Sequence, residues 1–229
     1  MPPIVWTGLK KLPINLRKYY GVQNLDEKLE KYVNFDNGYY VELGANDGIN
    51  QSNTYYFEKF RNWRGILIEP SSHNFLKLLA NRSSENQMHC YACVSFEFKD
   101  PFVGIVYSNL MSSPLNLESD IKDPLSHAAI GKDFLEKTDR IFTFGAVAKT
   151  LNQIFIESKA PNLMDLLSLD VEGAEMEVLK GIDHDTYRFK FMCIENRDIE
   201  KLKAYLADKD YEFVEALSVH DYLFKDIRA

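Results

Sequence analysis

The chain has 229 residues, 45% of them hydrophobic and 27% charged, and a formal net charge of −7. This length suits one α/β domain with a single sizeable core, and the acidic balance argues against a surface that reads nucleic-acid phosphates. No apolar run reaches the ~18 residues of a membrane span, and Cys90, Cys93 and Cys193, odd in number and set in apolar runs, read as reduced core or pocket-wall residues of a cytoplasmic protein.

Residues 1–22 carry Lys10, Lys11, Arg17 and Lys18 and read as a solvated arm, too short and proline-interrupted for a signal peptide. A single domain is expected over 23–229. Asn24 to Val33 predicts a short helix, with Asn24 as N-cap and Glu27 completing a capping box. A first strand, Tyr39–Leu43, runs into the turn Gly44-Ala45-Asn46-Asp47-Gly48. A helix from Ser52 to Phe60 sets Tyr56, Phe57 and Phe60 on one face. A second strand, Gly65–Ile68, ends at Glu69, and Ser71 or Ser72 caps a helix to Asn81. A third strand is expected over Met88–Val94.

Residues 96–146 break this rhythm, punctuated by Pro101, Gly104, Pro114, Pro124 and Gly131. Hairpin-like pieces at Phe102–Tyr107 and Arg140–Ala146 flank a loop, and such an insert inside a compact domain reads as a lid or binding loop. The βα pattern then resumes. A helix is expected at Ala148–Ile156, a strand at Leu166–Leu169 with Asp170 at its tip, and a helix from Glu172 to a Gly181 C-cap. A strand at Phe189–Ile194 carries Glu195-Asn196 at its tip, and Asp198–Lys209 reads as a helix. Tyr211–Ala216 and Tyr222–Lys225 close the chain as a hairpin. His73 and His184 read as helix-surface residues.

Strand, glycine turn, helix, strand and acid, with Glu69 placed 21 residues after Gly48, is the layout of a nucleoside-binding βαβ unit. The tip acid can accept hydrogen bonds from both ribose hydroxyls. A dinucleotide fingerprint would present G-x-G-x-x-G amides to a pyrophosphate. Here Glu42 and Asp47 flank the turn, and two carboxylates repel phosphate. They suit the ammonium and sulfonium of S-adenosylmethionine (SAM). A nucleotide-sugar or NAD-linked oxidoreductase is disfavoured for the same reason.

Three segments carry a family resemblance. They are V-E-L-G-A-N-D-G, then S-N-T-Y-Y-F-E-K with N-W-R-G-I-L-I-E-P, then L-S-L-D-V-E-G-A-E-M-E-V-L-K-G. The chain resembles the FkbM family of SAM-dependent methyltransferases over roughly residues 37–95 and 147–226, and least over the insert. The resemblance implies a Rossmann-like class I methyltransferase fold. Its sheet has seven mostly parallel strands with an antiparallel C-terminal strand, and helices cover both faces. It also implies SAM as cofactor and methyl transfer to a hydroxyl of a sugar, glycan or small metabolite. A methyltransferase-like binding or trafficking module is the alternative; the retained glycines and acids favour the enzyme.

By position, the resemblance places Glu42, Gly44, Ala45, Asn46, Asp47 and Gly48 around the methionine part, with Gln51, Ser52 and Asn53 at its carboxylate. Glu69 takes the ribose, Pro70 and Ser71 lie by the adenine, and Cys93, Val94 and Ser95 wall it. Asp170 lies beneath the reacting centre. Glu172, Asp170 and His127 are the candidate bases, Glu172 being preferred at the tip facing the cofactor. Some class I O-methyltransferases hold Mg²⁺ at the corresponding strand tips, which here carry Asp170, Glu195 and Asn196, three oxygen donors suited to a hard cation. Aromatics of the insert (Phe102, Tyr107, Phe134, Phe142, Phe144) fit either sugar stacking or a packed lid.

Overall fold

The computed structural model describes residues 17–229. Residues 1–16 of the expected arm, Lys10 and Lys11 included, lie outside the described residues. The elements follow in chain order as α1 (Leu25–Glu30), β1 (Tyr39–Leu43), α2 (Tyr55–Arg61), β2 (Arg64–Ile68), α3 (Ser72–Asn81) and β3 (Gln87–His89). The middle of the chain forms β4 (Ala92–Val94), β5 (Phe102–Tyr107), β6 (Ser113–Leu115), α4 (Pro124–Ile130) and β7 (Phe142–Thr150). The remainder forms α5 (Leu151–Ser158), β8 (Leu163–Leu169), α6 (Glu175–Leu179), β9 (Arg188–Glu195), α7 (Ile199–Ala207), β10 (Tyr211–Ala216) and β11 (Asp221–Asp226).

Seven strands form one sheet in the order β10-β11-β9-β8-β1-β2-β3. Strands β3, β2, β1, β8 and β9 are parallel, while β11 runs antiparallel to both β9 and β10. Alternation along the central strands divides the core in two. Val41, Leu43, Ile66, Ile68, Leu167 and Leu169 pack on one face against Phe155 of α5, Leu179 of α6 and Leu202 of α7. Tyr40, Leu67 and Leu166 pack on the other against Leu29 of α1, Tyr56 and Phe57 of α2, and Leu78 of α3. The order reverses between β1 and β8, so a crevice opens beyond their carboxyl ends. No helix among the described residues is long and apolar enough to cross a membrane.

The insert is more ordered than a lid loop. It builds a second, four-stranded sheet in the order β4-β7-β5-β6. The expected third strand therefore splits. Gln87–His89 stays on the main sheet, while Ala92–Val94 leaves it to pair in parallel with Ala148–Thr150. Because β7 claims Ala148, the next helix starts at Leu151. Thr150 caps it reciprocally with Gln153, each backbone N–H donating to the other's side chain.

Other expectations shift for local reasons. Asn24 adopts φ 58°, and its side chain does not cap α1; its amide reaches Glu27 Oε2 instead. Phe60 lies beside Tyr56 as expected, ring centroids 5.5 Å apart, but stays 49% exposed at the rim of that face. Gly181 is no left-handed cap: a Cβ there would stand 2.1 Å from the Val94 carbonyl oxygen, so close packing requires the glycine. His184 is buried, with Nε2 3.0 Å from the Leu179 carbonyl oxygen. Tyr20, expected in a solvated arm, is buried, and its backbone N–H donates to Asp26. All three cysteines are free thiols.

Candidate active site

The tips of β1 and β8 fit together through one glycine. Gly44 has φ +75°, and a Cβ there would lie 1.9 Å from the Asp170 carbonyl oxygen. Only glycine allows that approach. The turn after it is self-contained. The N–H of Asn46 donates to Glu69 Oε2, that of Asp47 to Asn46 Oδ1, and that of Gly48 to the Ala45 carbonyl. The N–H groups of Ile49 and Asn50 both donate to Asp47 Oδ1. Asp47 thus folds the turn from outside the cavity described below.

Glu42 is equally absorbed by structure. Its Oε1 accepts from Ser52 Oγ and the Asn53 N–H, each at 2.9 Å, and its Oε2 accepts from Thr54 Oγ1 at 2.7 Å. Arg82, fully buried at the end of α3, adds an ion pair at 3.2 Å. Its guanidinium also holds Glu58, the Gly48 carbonyl, Tyr40 and Thr54. Arg82 escaped the sequence reading, though two inward-facing acids, Glu42 and Glu58, imply a buried cation.

A cavity of about 230 Å³ opens at the crevice. Of the expected cofactor residues, Gly44, Asn46, Gln51, Ser52, Glu69, Pro70, Cys93 and Asp170 line it. Glu42, Ala45, Asp47, Gly48, Asn53, Ser71, Val94 and Ser95 stand behind that wall. Ser71 caps α3 and donates its N–H to Glu69 Oε1, and the Ser95 N–H donates to Glu177. Asn53 bonds Ser168 across the sheet. Burial lifts the Glu69 carboxyl to about 7 against the pull of its two backbone N–H donors. The insert supplies the far wall, with Leu110, Met111, Pro114, Leu117 and Phe134. Of the five aromatics noted there, only Phe134 lines the cavity. Tyr107 is buried with its hydroxyl on Asn74 and Asp139, and Phe102 and Phe142 face outward.

Two of the three candidate bases meet. Glu172 lines the cavity at φ 55°, a left-handed conformation unusual for its type. His127, brought in by α4 of the insert, places Nε2 2.7 Å from Glu172 Oε2. Arg197 stands 3.6 Å from the same oxygen and 3.4 Å from both Glu195 Oε1 and Asp120 Oδ1.

Below Asp170 the acids crowd. Asp170, Glu175 and Glu195 each bring one oxygen within 4.8 Å of the others. Enclosure by protein, then the charges of Glu195 and Glu172, hold the Asp170 carboxyl well above its ordinary range. Burial lifts Glu195 to about 7 and Glu175 to about 8. Asn196, the other expected donor at this strand tip, accepts the Asp198 N–H with its Oδ1 at the start of α7. Glu175 joins Asp170 and Glu195 in the cluster. Its signal in the sequence is the third acid of the D-V-E-G-A-E run, which falls in the stretch expected as helix.

The chain matches the family model of the methyltransferase FkbM domain over residues 42–228. Two solved structures resemble it at low identity. One is the FkbM methyltransferase of Methylobacillus flagellatus, 16% identical, with a TM-score of 0.47 over 83% of this chain; the match spans 44% of that protein's length. The other is a Pyrococcus horikoshii protein proposed as an RNA methyltransferase, 10% identical, with a TM-score of 0.49 over 97% of this chain and 92% of that one. No curated protein gives a significant match.

Proposed function

This chain belongs to the FkbM methyltransferase family, and from that premise we propose that it transfers a methyl group from SAM to a hydroxyl oxygen of a sugar, glycan or small metabolite. One observation carries the reading. Among the described residues, the cavity is lined by three carboxyl-bearing side chains, Glu69, Asp170 and Glu172, and by no Lys, Arg or His. The amides of the glycine turn are spent within the protein, so no nest is left for a pyrophosphate. An acidic, partly apolar pocket suits a cationic nucleoside. The strand order and the antiparallel β11 support the class I methyltransferase fold.

The residues present fit the cofactor. Glu69, anchored through both oxygens, keeps lone pairs free for two ribose hydroxyls. Ile68, Pro70, Tyr91 and Cys93 offer an apolar slot for a base. Gly44, Asn46, Gln51 and Ser52 line the end suited to the amino-acid part. Bound there, SAM supplies a methyl group on a cationic sulfur. The protein must then align an acceptor oxygen, exclude water and take a proton. Glu172 accepts that proton, and His127 holds its carboxylate in register from the insert. Leu110, Met111, Pro114 and Leu117 close the cavity against solvent.

Isothermal calorimetry with SAM, S-adenosylhomocysteine and NAD tests the proposal. Micromolar binding of the first two and none of NAD is expected. Binding of NAD alone would replace the reading with a redox one, and binding of none would favour a non-catalytic module.

A further inference from the structure

At the floor of the cavity, Asp170 and Glu172, which line it, join Asp120, Glu175 and Glu195, so that five carboxyl groups face one guanidinium, Arg197, and one imidazole, His127. Arg197 is committed to Asp120, Glu172 and the Oε1 side of Glu195. No ion pair or hydrogen bond joins it to Asp170 or Glu175 among the described residues.

Glu175 is fully buried at the head of α6. Its Oε1 accepts the N–H groups of Val171 and Gly173 at 3.0 and 3.1 Å, which fixes the carboxylate on the β8–α6 turn. Among the described residues, its Oε2 is buried and has no hydrogen-bond partner, and the same holds for Glu195 Oε2. A buried carboxylate oxygen without a donor is costly and rare. Here two of them are borne by Glu175 and Glu195, members of the trio in which each residue brings one carboxylate oxygen within 4.8 Å of the others.

We propose that Asp170, Glu175 and Glu195 form a binding site for a hard divalent cation of the Mg²⁺, Mn²⁺ or Ca²⁺ class. Oxygens about 2.0–2.6 Å from one ion lie about 3 Å apart when adjacent and about 4–5 Å apart when opposite. The trio falls within that span. Oxygen-only donors select a hard ion over zinc or copper. Three carboxylates leave coordination positions for water, as Mg²⁺ and Mn²⁺ prefer. Asp170 lines the cavity, so the ion would adjoin it, and the Glu195 side chain keeps 17% exposure as a path in. The site does not depend on whether the cavity takes SAM. Its competitor is a set of shared protons, which would satisfy the same oxygens with no ion.

The test is Mn²⁺ binding to the full chain at pH 8, followed by electron paramagnetic resonance, with Mg²⁺ and Ca²⁺ as competitors. One saturable Mn²⁺ per chain is expected. Glu175→Gln and Glu195→Gln, each near-isosteric, are expected to weaken it at least tenfold while circular dichroism stays native. Absence of saturable binding would overturn the proposal in favour of shared protons. Undiminished binding in either folded variant would overturn it in favour of surface acids. Should Glu175→Gln fail to fold, Glu195→Gln decides alone, because Glu195 holds no backbone amide.

Discussion

Glu69 shows how one buried carboxyl can set both stability and affinity. Its folded pKa is raised, from 4.5 to about 7. The folded chain therefore holds this proton more tightly than the unfolded chain does. The stability linked to it is fully present below about 4.5 and is lost as pH rises through about 7. Ligand binding runs the other way, since ribose hydroxyls donate to the ionised form. Affinity for S-adenosylhomocysteine is expected to rise up to about tenfold between pH 6 and 8, following the ionised fraction. Calorimetry across that range checks this, and Glu69→Gln should flatten the slope. An equal slope in that variant would assign the titration to another group. Glu172 invites a different experiment. Glu172→Gln keeps the size of the side chain and removes its basicity, so S-adenosylhomocysteine binding is expected to persist while methyl transfer falls at least a hundredfold. Full turnover in that variant would move the base elsewhere.

At the scale of elements, the junction at Thr150 separates two kinds of order. Thr150 ends β7 and caps α5 with Gln153. Loss of such a cap costs about 1 kcal/mol, so Thr150→Ala should lower the melting temperature by about 2–4 °C in a chain of this size. An unchanged melting curve would show the cap to be idle. The same junction shows why some boundaries were hard to read. Strands β1, β2, β8 and β9 are short, apolar and bounded by acids, so their pattern announces them. Residues 88–94 form one apolar run, yet β3 and β4 belong to different sheets. The partner that draws β4 away, Ala148–Thr150, lies more than 50 residues later. No local pattern encodes such a pairing. The site was legible to a similar degree. Glycines and acids at strand tips marked the crevice, because strand tips converge in any parallel sheet. What Glu42 and Asp47 do there was hidden, since a carboxylate that folds a turn and one that binds a ligand look alike in sequence. Arg82 and Glu175 were hidden for another reason: their meaning depends on burial.

The described residues form a mostly parallel seven-stranded sheet whose crevice is roofed by a smaller one. Cys93 of β4 reaches into the main core, but Ala92, Val94, Val103, Ile105 and Ala146 form a cluster of their own, and near the crevice charged contacts join the insert to the main sheet. Glu118 of the insert pairs with both Lys180 and Lys201. Asp120 accepts the Arg197 N–H at 2.7 Å and pairs with its guanidinium, while its own N–H donates to the Gly173 carbonyl. Lys77 of α3 pairs with Glu136. Such contacts are weaker and more local than core packing, so the roof should open without unfolding the sheet beneath it. Asp120→Ala removes the central tie. Amide hydrogen exchange is expected to accelerate at least tenfold over residues 117–123 and to stay unchanged in β1, β8 and β9. Uniform acceleration across those strands would show that roof and sheet open as one unit. Acceleration confined to the insert would make it the mobile gate through which an acceptor reaches Glu172.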